Sequence, residues 1–178
     1  MPIECAHAIV KSIKIKNRQN HALAKMFDRI SIINLDVFFD VIKENEENKL
    51  TITTDVSNPL NKLDQRAKFM GVNVVFTKSI LSNLPLDYRL RYRYLGSVSM
   101  QKGMKEQVFE DIDVYQKDVN EKLFRSKKLF ERGVISYENQ DYERAIMFFE
   151  NVLKSFPNDK SCYIYFNKAK EKISRDKL

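Results

Sequence analysis

The stretch Tyr88-Arg89-Leu90-Arg91-Tyr92-Arg93-Tyr94-Leu95-Gly96-Ser97-Val98 decides how this chain is read. From Tyr88 to Tyr94 arginine alternates with tyrosine or leucine, a period of two that belongs to a half-buried strand. The favoured reading turns Arg89, Arg91 and Arg93 to water and Tyr88, Leu90, Tyr92 and Tyr94 inward. Downstream, Val98 to Met100 and Gln107 to Tyr115 complete a hairpin around Gly103.

Upstream of this strand the texture is mixed. Cys5 to Phe27 has apolar residues at helical intervals with Lys11, Lys14, Lys16 and Arg18 between them, which predicts an amphipathic helix with a solvated basic face. Ile30 to Ile42 is dense in β-branched and aromatic residues and predicts two strands bent near Asn34 to Asp36. Charged, Asn-rich Lys43 to Lys49 is expected to be a loop, and Thr51 to Thr54 a short strand or the start of a helix. Asn58-Pro59 then opens a helix whose buried stripe is Leu60, Leu63, Ala67 and Met70, ended by Gly71. Val72 to Phe76 is expected as a strand and Lys78 to Leu84 as a short helix.

After Tyr115 the period changes to that of helices. Val119 to Leu178 predicts three helices, with turns at Asn139 to Asp141 and at Pro157 to Asp159. The expected division is therefore an α/β part over 1–117 and a helical tail over 118–178. Counting from Gly133, Ala145 lies twelve residues on, Phe149 sixteen and Pro157 twenty-four. These offsets resemble a tetratricopeptide repeat, in which small residues let two antiparallel helices approach, an aromatic fills the groove and a proline follows the second helix. A single repeat cannot bury its own apolar face. Phe148, Phe149, Val152, Tyr163 and Phe166 must therefore pack on the α/β part, on another chain, or on a capping helix over Lys160 to Lys177.

Composition excludes several chemistries. The 178 residues are 43% hydrophobic, enough for a core, but the four glycines, Gly71, Gly96, Gly103 and Gly133, cannot spell G-x-G-x-x-G or a P-loop. Cys5, Cys162, His7 and His21 fit neither a zinc nor a disulfide pattern, so neither a metal nor a cofactor is expected, and a reduced, cytoplasmic setting is. No apolar run approaches a membrane span, so no membrane partner is expected. The net charge of +7 could serve an anionic partner, yet lysine-rich solvated faces give the same number, and nucleic acid is the less favoured reading.

Ile30 to Tyr115 resembles the C-terminal half of a class III adenylate/guanylate cyclase catalytic domain. Tyr94-Leu95-Gly96-Ser97-Val98, Lys102-Gly103 and Val114-Tyr115 are similar to the terminal hairpin of that family, and Thr51-Ile52-Thr53-Thr54-Asp55-Val56-Ser57-Asn58 to the run that leads into its catalytic helix. The resemblance implies an α+β fold: a partial ferredoxin-like, mixed or antiparallel sheet with helices, followed by the repeat-like helical hairpin and its capping helix. It puts Asn58 at the ribose-orienting position and Thr51 at the base-selecting one. Lys62 stands where the family has an arginine, and a point charge cannot make the same bidentate clamp. Lys102 and Lys105 are rivals for the lysine that meets phosphate.

In the family, two aspartates of the first half hold the metal ions, and the resemblance does not reach that half. Asp36 and Asp40 fall in a different segment and are not promoted to ligands. The implied protein is a catalytically silent, cyclase-like module with a repeat-like tail, acting in protein–protein interaction or the regulation of signalling, through a protein partner or a second copy. Asn58 and Lys62 are then vestigial, and retained nucleotide binding through Thr51, Lys102 and Lys105 stays open. One alternative is half of a split cyclase, supplying Asn58 and Lys62 to a site completed by another polypeptide. Another is a nucleic-acid-binding module using Arg89, Arg91 and Arg93.

Overall fold

The structure, a computed structural model, describes residues 3–6, 8, 30–33, 39–44, 47–52, 57–85, 88–100 and 104–175. In chain order the elements are β1 (Ile30–Ile32), β2 (Phe39–Glu44), β3 (Glu47–Ile52), α1 (Ser57–Met70), β4 (Val74–Thr77), α2 (Lys78–Ser82), β5 (Tyr92–Ser99), β6 (Lys105–Asp111), α3 (Lys117–Glu138), α4 (Tyr142–Ser155) and α5 (Lys160–Arg175). The class is α+β. No helix among the described residues is long and apolar enough to cross a membrane. Residues 3–6 are helical, with Ala6 packed against Val74, Ile30 and Ile32. Apart from Ala8, the rest of the helix expected up to Phe27 lies outside the described residues, as does the bend expected at Asn34 to Asp36.

Four strands form one mixed sheet in the order β1-β4-β6-β5, in which β1 and β4 are parallel and the other pairings antiparallel. β2 and β3 form a separate antiparallel hairpin whose pairing runs from Phe39↔Ile52 to Glu44↔Glu47. The loop expected over Lys43 to Lys49 is therefore mostly strand. Charged side chains do not prevent pairing there, because the ladder is made by backbone groups.

α1 buries Leu63, Ala67 and Met70 completely. It stops at Gly71, whose φ of +70° is cheap only for glycine, and the Gly71 N–H to Lys68 and Val72 N–H to Ala67 bonds close the end. β5 is shorter than the alternation suggested. It begins at Tyr92, opposite Asp111, the last residue of β6. Beyond that point one further backbone bond runs from the Ile112 N–H to the Arg91 carbonyl at 2.8 Å, and the Arg91 N–H donates to the Asp113 carboxylate at 2.9 Å.

Paired across the sheet, Val75, Glu110 and Arg93 share one face, while Phe76, Phe109 and Tyr94 share the other. α1 and the tail meet the first face. Leu63 and Ala67 of α1, Val75, Leu95 and Val108 of the sheet, and Phe130, Phe149, Cys162 and Tyr165 of the tail belong to one buried cluster. Residues on both sides of position 117 thus share a core, each fully buried large apolar side chain contributing about 1.5–3 kcal/mol.

Candidate functional site

The repeat-like positions lie where two helices cross. A Cβ on Gly133 of α3 would stand 2.5 Å from the Phe149 ring of α4, so the helices approach there at a distance only glycine permits. Ala145 is fully buried on α4, and Pro157 is exposed just past its end. Asp141 caps α4 by accepting from the Arg144 N–H at 3.1 Å. On the capping helix α5, the Tyr165 ring stacks on Phe149 with centroids 5.5 Å apart. The buried stripe of α5 is Cys162, Tyr165 and Ala169, whereas Tyr163, expected to pack, is 56% exposed. Phe166, by contrast, packs against the core as expected, while Cys162 and Tyr165 take the position toward Phe149.

The cyclase-like positions are spread over three elements. Thr51 lies in β3 opposite Asp40, and Asn58 in the first turn of α1. Lys62 donates from Nζ to the Met100 carbonyl at 3.3 Å, which brings it to the base of the β5–β6 hairpin. Lys105, exposed, opens β6 just after the Met100 N–H to Met104 carbonyl bond, while Lys102 lies outside the described residues. Gly96, at φ +93°, sits against the Tyr165 hydroxyl and Arg66 guanidinium, which both donate to the Leu95 carbonyl.

Arg93 overturns the expectation of a water-facing arginine row. Arg89 and Arg91 are exposed, as expected, Arg91 being paired with Glu121 at 3.1 Å, but Arg93 is only 2% accessible. Its Nε donates to Glu110 Oε2 at 2.6 Å, and its Nη1 and Nη2 donate to Asp159 at 2.5 and 3.1 Å. The guanidinium also lies 4.2 Å from the centre of the Phe130 ring. Burial alone would lower its pKa, but the facing carboxylates of Glu110 and Asp159 outweigh this and raise it, so Arg93 stays charged. Tyr115 donates to the other Glu110 oxygen at 2.5 Å, and Asp159 accepts from the Cys162 N–H as the N-cap of α5. A small cavity of about 90 Å³ adjoins this group, bordered by Gly71 and Ser161. The two carboxylates are what make the inward arginine possible, and one of them comes from the tail.

On the opposite face of β5, Tyr94 is buried and Tyr92 and Phe109 are half-buried. Tyr92 and Phe109 meet edge to face at 5.5 Å and 88°, and Tyr94 tilts onto Phe109 at 5.5 Å. With Lys127, Glu131 and Glu138 of α3 they line a groove of about 520 Å³. Lys127 Nζ sits 4.1 Å from the Tyr92 ring centre and 3.7 Å from Glu131. The two glutamates also cap the edge of β5. Glu131 accepts from the Tyr94 N–H at 2.8 Å, and Glu138 from the Ser97 N–H and the Tyr94 hydroxyl, each at 2.7 Å. Seven helical residues advance about 10.5 Å and three strand residues about 10 Å, so the spacings match. Burial and the Glu138 hydrogen bond push the Tyr94 phenol up to about 12, partly offset by the Ser97 hydroxyl.

Sequence reasoning singled out neither Glu110 and Asp159 nor Glu131 and Glu138. The available signals were an arginine set between core tyrosines, which needs buried counter-charges, and two glutamates a heptad apart on an otherwise unmatched helix face. Compared with known proteins, the chain matches no family model, no curated protein and no solved structure.

Proposed function

We propose that this protein is a catalytically silent, cyclase-like interaction module of the cytoplasm that regulates signalling by engaging a protein partner or a second copy. The observation that carries the reading is how its polar groups are used. Arg93, Glu110 and Asp159, which converge most tightly, are buried and, with the partly buried Tyr115, hydrogen-bonded to one another, so their polar groups are engaged in holding the tail to the sheet. What stays open is a surface feature, the aromatic groove beside β5. The test is direct: with ATP or GTP and Mn²⁺ the purified protein is expected to make no cyclic nucleotide. Turnover that disappears in Asn58→Ala would overturn the reading.

A second reading, half of a split cyclase, is favoured by one contact: Lys62 reaches the base of the β5–β6 hairpin, near Lys105. It predicts turnover only after mixing with a polypeptide that carries the metal-binding half, and loss of that turnover in Lys62→Ala.

A further inference from the structure

We propose that the groove between β5, β6 and α3 docks a lysine-bearing segment of a partner protein, seating its ammonium group on the aromatic corner of Tyr92, Tyr94 and Phe109 beside Glu131 and Glu138. This deepens the interaction-module reading and rests on it. The first support is that the chain already places an ammonium there: Lys127 Nζ lies 4.1 Å from the Tyr92 ring centre and 3.7 Å from a Glu131 oxygen. Aromatic faces carry negative charge density, and two rings set at 88° offer one cation both a face and a wall.

The second support is charge. The groove carries two carboxylates against one lysine, in a chain whose net charge is +7, so it is locally negative on a basic molecule. It favours a basic segment and disfavours an acidic one. The third is size, since about 520 Å³ exceeds what one side chain fills and leaves room for the flanking peptide. Lys127 is the stand-in: it is half-buried, its ammonium hangs on a flexible four-carbon stem, and a partner lysine displaces it.

Calorimetric titration at low ionic strength tests this with three probes: a Lys-Gly repeat peptide, the same peptide with glutamate for lysine, and tetramethylammonium. Lys127→Met keeps the alkyl stem and removes the internal competitor, so the lysine peptide is expected to bind about two- to fivefold more tightly. Glu131→Gln with Glu138→Gln keeps an acceptor for the Tyr94 and Ser97 amides and removes the charge, so binding is expected to weaken about tenfold. A thermal melt of each variant checks that the fold is kept. Unchanged or weaker binding in Lys127→Met overturns the proposal, as does equal binding of the glutamate peptide or no binding of the lysine peptide to either protein. Tetramethylammonium competing as strongly as the peptide would make this a small-cation pocket and overturn docking. Cyclic-nucleotide turnover bears only on the silent-module reading, so the two failures are distinguishable.

Discussion

Arg93 joins three elements through one side chain, with Glu110 on the neighbouring strand, Asp159 at the start of α5 and the Phe130 ring of α3 around it. Replacing it with methionine keeps much of the volume but leaves two buried carboxylates facing each other. Removal of one partner from such a group costs about 3–5 kcal/mol. Urea unfolding of Arg93→Met is expected to show that loss, and adding Glu110→Gln and Asp159→Asn to recover part of it, since the stranded charges are then gone. The buried phenols give the protein an alkaline limit. Tyr94 titrates at about 12 in the fold against about 10 when unfolded, and burial raises Tyr165, Tyr115 and the Cys162 thiol as well. A folded pKa above the unfolded one means the fold favours the protonated form, so this stability is complete below pH about 10 and falls as pH rises toward 12. The urea midpoint should drop across that window while a phenolate absorbance titration lags behind free tyrosine. A midpoint unchanged from pH 9 to 11.5 would contradict this.

At the level of elements, the helical crossing is the most sharply constrained packing. Gly133→Ala would gain about 1 kcal/mol of helix propensity. The added methyl, however, meets the fully buried Phe149 ring, which has nowhere to move, and overpacking of this kind costs about 1–3 kcal/mol. A net loss of stability, read from thermal melts, is the expected result. A gain would mean that α3 and α4 are more loosely joined. These helices were legible because the 3.6 period, the turn at Asn139 to Asp141 and Pro157 are local signals. The hairpin of β2 and β3 was legible only in part, since Lys43 and Lys49 look like loop residues until the backbone pairing is known. The inward turn of Arg93 was not legible, because its decisive partner Asp159 lies 66 residues away. An alternating strand fixes which residues share a face, but which face meets the core depends on what the rest of the chain brings to it.

For the whole molecule, the shared core and the Arg93 bridge make the sheet and the tail a single mechanical body, which the interaction reading requires. A partner gripping the groove touches both at once, since Tyr92, Tyr94 and Phe109 come from the sheet and Lys127, Glu131 and Glu138 from α3. The tail also protects the sheet: the Glu131 and Glu138 carboxylates occupy amides on the edge of β5 that would otherwise be open to another strand. Differential scanning calorimetry of the whole chain, with and without Arg93→Met, tests this unity most directly. The expected result is one transition whose calorimetric and van't Hoff enthalpies agree, moved as a whole to lower temperature by the substitution. Two separable transitions, with Arg93→Met shifting only one of them, would contradict it.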